Sequence, residues 1–208
     1  MLYAQVHLTL PAWVHDTVDA TRAYRSDAEK VALAIDLSKR NIEANSGGPF
    51  GAAVFGPADP IIAVGVTRVV PHACSVAHAE MMAYMLAQGR AQRLRLTRDA
   101  EDRPVGPITL ATSSQPCCQC YGATVWAGID RLLIGARSED VETLTEFDEG
   151  PLPADWVGEL QSRGIAVFGA DLWASDWNPM TPEQQLALLT SRLEQARKGI
   201  ILLHDTKV

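Results

Sequence analysis

The chain has 208 residues, 47% of them hydrophobic, which is enough for one well-buried core. Its 18 basic residues stand against 25 acidic ones, a net charge of −7. That balance argues against a nucleic-acid partner, because wrapping a phosphate backbone needs a concentrated basic face. No apolar run reaches the roughly 18 residues of a membrane span, and the first fifteen residues lack a basic region followed by an apolar core, so neither membrane nor secretion is expected, and the location is expected to be cytoplasmic.

Residues 1–25 carry no strong periodicity and are expected to form an arm that packs late or against a partner. Ser26-Asp27-Ala28-Glu29 has the pattern of a capping box, and Val31, Ala32, Ile35 and Leu37 then recur at roughly helical spacing. Gly47-Gly48-Pro49 ends that helix. Two short apolar runs, 50–55 and 61–66, flank Gly56-Pro57-Ala58-Asp59-Pro60 and predict a strand hairpin. A helix is expected over 78–88 with Gly89 as its C-terminal cap. The polar stretch 90–107 reads as a surface connection. A strand follows at 108–111, a helix at 117–126 stopped near Gly128, and a strand at 129–134. The segment 139–153 reads as a loop, followed by a short helix to Arg163 and a last strand at 165–168. Thr181 and Pro182 suit the cap and first position of a helix reaching about Lys198. This order predicts an α/β fold: three α/β/α layers around a mixed five-stranded sheet. The expected organisation is an arm over 1–25, a catalytic domain over 26–180 and a C-terminal helix and tail over 181–208.

Four cysteines, three of them crowded at 117, 118 and 120, point to a metal site rather than a disulfide framework. His78-Ala79-Glu80 and Pro116-Cys117-Cys118-Gln119-Cys120 each open a helix, and together they give His-x-Glu and Pro-Cys-x-x-Cys. That pairing is found in zinc deaminases, in which a metal-activated water attacks an amidine-like ring carbon. One imidazole and two thiolates, from His78, Cys117 and Cys120, satisfy Zn2+ and leave a fourth position for water. Cys117 and Cys120 share a helical face at spacing three, near a helix N-terminus that favours a thiolate. Glu80, two residues beyond His78, points away from the ligands and is left to carry protons. A structural zinc site with Cys74 as fourth ligand is the alternative, and would make the chain a zinc-stabilised binding protein.

At these residues the chain resembles the cytidine-deaminase superfamily, and within it the guanine deaminase branch that includes a bacterial guanine/ammeline deaminase. The resemblance runs from about residue 26 into the C-terminal tail. Gly47-Gly48-Pro49-Phe50-Gly51-Ala52 resembles the branch's first strand, and residues 123–128 resemble its zinc-helix end. Residues 137–141 and Phe147-Asp148-Glu149-Gly150-Pro151 resemble its closing loop. The resemblance implies a second proton shuttle at Glu149 and substrate contacts by Phe50, Thr67, Ala79, Trp126 and Phe147. From the residues alone, Glu146, Asp148 and Glu149 also suit a solvated acidic loop, and Trp126 equally suits core packing.

Three positions depart from that branch: Thr67 stands where it carries a base-pairing Asn, Gln115 stands where a Glu precedes Pro-Cys, and the closing loop is one residue longer. The reaction expected is hydrolytic deamination of an aminated purine, triazine or similar heterocycle, with a small molecule and water as partners. A cytosine, cytidine or other nucleoside deaminase is the alternative. The C-terminal helix and the apolar run 199–203 would be costly to leave exposed, so a homodimer is also expected, either with or without exchange of the C-terminal segments.

Overall fold

The capping box at Ser26 forms as its pattern predicts: the Ser26 hydroxyl accepts from the Glu29 amide while the Glu29 carboxylate accepts from the Ser26 amide. Two orphan donors at a helix start are satisfied at once, a contribution of about 1 kcal/mol. The computed structural model describes residues 5–169, 172–173, 180–197 and 201–202, which divide into units Met1–Phe168 and Gly169–Val208. The first unit runs α1 (Trp13–Thr17), α2 (Asp27–Glu43), β1 (Gly51–Phe55), β2 (Ile61–Val66), α3 (Val69–His72), α4 (Ala79–Ala91), β3 (Thr109–Ser114), α5 (Cys118–Ala127), β4 (Arg131–Ala136), α6 (Ser138–Leu144), α7 (Trp156–Ser162) and β5 (Ala166–Gly169).

The strands form a mixed sheet in the order β2-β1-β3-β4-β5, with β1 antiparallel to both β2 and β3, and β3 parallel to β4. Strand alternation divides the core into two apolar layers. Ala53, Phe55, Val64, Val66, Ala111 and Leu133 face α2 through Leu33, Ala34 and Leu37. Ala52, Val54, Leu110, Leu132 and Ile134 face the other way, toward Ala79, Ala83, Tyr84 and Ala87 of α4 and Ala127 at the end of α5. The expected three-layer α/β/α arrangement is thus present, each large buried side chain contributing about 1.5–3 kcal/mol. Gly51 and Gly65 bring the two helix layers onto the sheet. A Cβ at Gly51 would lie 2.3 Å from the Ala34 carbonyl oxygen, and one at Gly65 would lie 2.0 Å from that of Ala79.

Several boundaries differ from expectation. Helix α4 runs through Gly89 and ends at Gln92 (φ 53°), whose side-chain amide donates to the Gly89 carbonyl at 2.5 Å. A left-handed C-cap therefore falls on a glutamine that supplies its own capping bond. Strand β3 extends to Ser114 because its hydroxyls are satisfied inside: Ser113 Oγ accepts from the Gly51 amide and Thr112 donates to Glu80. The polar connection 90–107 is anchored by Leu96, which is fully buried and donates its amide to the Ala127 carbonyl. The expected loop 139–153 begins as helix α6, whose first turn carries Glu139 and Asp140, favourable charges at a helix N-terminus. Val14 and Tyr24 are buried in the α2-side core, with the Tyr24 ring 5.6 Å from that of Phe55.

In the second unit, β6 (Leu172–Trp173) pairs in parallel with β7 (Ile201–Leu202). Helix α8 (Pro182–Ala196) begins as expected with Thr181 as its N-cap and Pro182 in its first turn, and Gln184 completes a capping box with Thr181. It ends at a left-handed cap on Arg197; the expected end at 198 and most of the 199–203 run lie outside the described residues.

Candidate active site

His78 and Cys117 hold equivalent positions, each the extended N-cap residue of a helix, α4 and α5 respectively. The close approach at Gly65 sets the first turn of α4 backbone-to-backbone against β2, while Cys117 follows the end of β3. Thr124 Oγ1 donates to the Cys120 carbonyl (2.8 Å) and accepts from the Tyr84 hydroxyl (2.7 Å), which locks α4 to α5. The result brings His78 Nδ1 to 3.4 Å from Cys117 Sγ and 3.6 Å from Cys120 Sγ.

Those separations fit zinc. Tetrahedral bonds of about 2.0 Å to imidazole nitrogen and about 2.3 Å to thiolate put the two donor atoms about 3.5 Å apart. His78, Cys117 and Cys120 thus form the metal-competent group, their donor atoms mutually within 4.8 Å, and among the described residues Cys74 is not part of it. Between the protein groups themselves, Cys117 is the better thiolate. The Cys120 thiol donates to it and the His78 imidazole stands beside it, which outweighs burial and holds it down to about 4. The same pairing, together with burial, pushes the Cys120 thiol far up. The contact with Cys117 raises the His78 imidazole in turn.

Glu80 is the second residue of α4 and 5% exposed. One oxygen accepts from Thr112 Oγ1 at 3.1 Å; the other lies 3.4 Å from Cys120 Sγ. Burial raises its carboxyl above the usual range, so a proton is held there more readily than in water. A cavity of about 370 Å³ joins this carboxylate to His78 and Cys117, with Phe50, Thr67, Ala79, Phe147 and Glu149 also lining it. Phe50 and Phe147 meet edge to face at 5.1 Å and 79° rather than as parallel walls. Thr67 is 6% exposed, its amide donating to the Phe50 carbonyl and its carbonyl accepting from the buried Asn41 amide.

The structure does not bring Trp126 to this cavity: its side chain is 75% exposed and outside the lining. Helix α5 buries Cys120, Thr124 and Ala127, spaced four and three apart, and position 126 falls on the opposite side. Glu149, from the segment after α6, does reach the cavity. Its Oε2 accepts from Gln115 Nε2 at 2.6 Å and from the Ser138 hydroxyl, and its carbonyl accepts from the Cys118 amide at 2.7 Å. That last bond satisfies one of the orphan amides opening α5. Thr112, Ser138 and Asn41 were not singled out in the sequence; isolated hydroxyls and amides carry no spacing signal that separates them from surface residues.

The family model for the cytidine and deoxycytidylate deaminase zinc-binding region matches residues 25–136, more than half of the chain. The chain belongs to that family of zinc-dependent deaminases. It is similar to a solved guanine deaminase from Nitrosomonas europaea, with 35% identity, a TM-score of 0.73 and coverage of 92% of this chain and 98% of that one. It is equally similar to a mutant of NE0047 solved with 8-azaguanine, at 35% identity and a TM-score of 0.74, covering 94% and 99% of the two chains. A probable cytosine deaminase from Schizosaccharomyces pombe is 31% identical over 106 residues, 46% of this chain. The matched region spans 65% of that relative's length. Among the described residues, no helix is long and apolar enough to cross a membrane.

Proposed function

We propose that the protein hydrolytically removes an exocyclic amino group from a purine or similarly aminated heterocycle, releasing ammonia. The observation that carries this is Glu80: a buried carboxylate, favouring a held proton, that shares a cavity with His78 and Cys117 and lies 3.4 Å from Cys120, the third member of the donor set. The similarity to a guanine deaminase, and to NE0047 solved with 8-azaguanine and with 2,6-diaminopurine, supports the purine class. A cavity of about 370 Å³ lies at the small end for ligand sites and suits a free base.

His78, Cys117 and Cys120 would hold the zinc, which when bound lets a coordinated water give up its proton near neutral pH. Glu80 takes a proton from the attacking water and passes it to the ring nitrogen next to the carbon under attack. Thr112 fixes the carboxylate for both transfers. Glu149 protonates the departing amine, so that one carboxylate need not serve every step. Phe50, Thr67 and Phe147 position the ring, with Ala79 giving it space between His78 and Glu80. Residues 26–180 are proposed to form the catalytic domain, with 1–25 as an arm whose Val14 and Tyr24 pack into its core and 181–208 as an appendage, in a cytoplasmic homodimer. Leu186 and Leu193, exposed on α8, and four unpaired cysteines support the last two points.

The test is ammonia release by the zinc-loaded protein from guanine, 2,6-diaminopurine, ammeline, adenine and cytosine. Turnover is expected with an aminopurine. Turnover of cytosine alone would move the assignment to pyrimidines, and no ammonia from any compound overturns it.

A further inference from the structure

We propose that Gln115, with Ser138, is a positioning residue that decides which oxygen of Glu149 carries the transferable proton. The inference rests on the reading of Glu149 as the acid that protonates the leaving amine. Gln115 directly follows β3, and its amide donates to the Ala136 carbonyl at 2.7 Å, so its backbone is fixed at the sheet end. Its side-chain Nε2 reaches Glu149 Oε2 at 2.6 Å, and the hydroxyl of Ser138, itself buried at the start of α6, reaches the same oxygen. The Glu149 main chain is pinned independently by the Cys118 amide. Gln115, Ser138 and Glu149 all line the cavity that Glu80 enters.

Two donors on one carboxyl oxygen have a chemical consequence. An oxygen accepting two hydrogen bonds is the carbonyl-type oxygen of the acid form, so the proton sits on Oε1. Oε1 is then the atom that meets the substrate. The amide also suits a group that cycles its proton. A lysine or arginine at 115 would hold Glu149 ionised by its full charge, and a second carboxylate would repel it. Neutral Gln115 can donate to both forms, more strongly to the carboxylate, and so adds no fixed charge that would prevent the proton cycling. In the step, the Oε1 proton passes to the amino nitrogen. The C–N bond breaks with its electron pair leaving on nitrogen, while the hydroxyl added to that carbon becomes a carbonyl and gives its proton to Glu80. Ammonia departs, and Glu149 remains as carboxylate until solvent restores its proton and takes that of Glu80.

The test uses the full-length zinc-loaded protein, with guanine and its 2-fluoro counterpart as probes, since departing fluoride does not require protonation as an amine does. Gln115→Met keeps the side-chain length and removes the donor; Ser138→Ala removes the other. Each is expected to lower kcat for guanine by about 10- to 100-fold with KM little changed, and to leave turnover of the fluoro compound within about 2-fold. Zinc content stays at wild-type level. A crystal structure of Gln115→Met gives a readout free of turnover, and is expected to show the Glu149 carboxyl displaced. Equal loss for both probes, or Glu149 unmoved with guanine turnover intact, overturns the proposal. Glu149→Gln separates it from the reading beneath: intact guanine turnover in that variant overturns the acid role itself. Loss in Glu149→Gln with none in Gln115→Met or Ser138→Ala overturns the positioning role alone.

Discussion

His78 Nδ1 lies 3.4 Å from Cys117 Sγ, although 39 residues separate them along the chain. Both residues are N-caps, so the contact is between the starts of two helices rather than between their faces. The site therefore depends on how closely α4 and α5 are seated, and Gly65 controls the first of these.

Replacing Gly65 by alanine places a methyl 2.0 Å from the Ala79 carbonyl oxygen, a contact backbone must move to relieve. The expected cost is about 1–3 kcal/mol of stability, as for overpacked cores. Thermal unfolding should report that loss, and zinc titration should report weaker binding because His78 moves with the helix start. A variant with unchanged zinc affinity would mean α4 tolerates the shift.

The expected fold and metal ligands were legible because they rest on repeating or rigid signals. Apolar runs around Gly56–Pro60 gave the β1–β2 hairpin, and Cys-x-x-Cys after a strand gave the ligand pair. Helix α6 was not legible, since Ser-Glu-Asp before Val141 reads equally as a solvated loop. Nor was the link from Thr112 to Glu80: a threonine in an apolar strand signals β propensity, not the carboxylate it meets across 32 residues. Trp126 shows the reverse error. Its place in a family-like segment suggested a pocket wall, but the helical period turns it outward.

Thr112→Val keeps shape and burial while removing the donor to Glu80. A buried carboxylate that loses a hydrogen bond is costly, by about 1–3 kcal/mol. The expected result is lower kcat with zinc content unchanged, measured by ammonia release beside metal analysis. Loss of zinc instead would mark Thr112 as a support for the ligands rather than for Glu80.

Thiol reactivity gives a pH prediction for protein stripped of zinc by chelation. Cys117 is held down to about 4, so it is a thiolate at pH 5–7, whereas the Cys120 thiol is raised and stays protonated. The lowered group keeps its charge until pH falls through about 4, while an ordinary thiol is already protonated below about 8. Iodoacetamide at pH 6 should modify Cys117 before Cys120, as read by peptide mass spectrometry. Re-adding zinc beforehand should protect both.

Cys120→Ser removes a fully buried ligand and is expected to abolish stoichiometric zinc binding. Because bound metal stabilises only the folded chain, the wild type should melt at higher temperature with zinc than after chelation, and the variant should not respond. An unchanged zinc response in Cys120→Ser would place the metal elsewhere.

The central claim is that Glu80 moves protons beside a zinc it does not bind. Ammonia release by Glu80→Gln, measured together with its zinc content, tests this most directly. The account predicts wild-type zinc with kcat lowered by about 10²- to 10⁴-fold. Loss of zinc in that variant, or ammonia release at the wild-type rate, would contradict it.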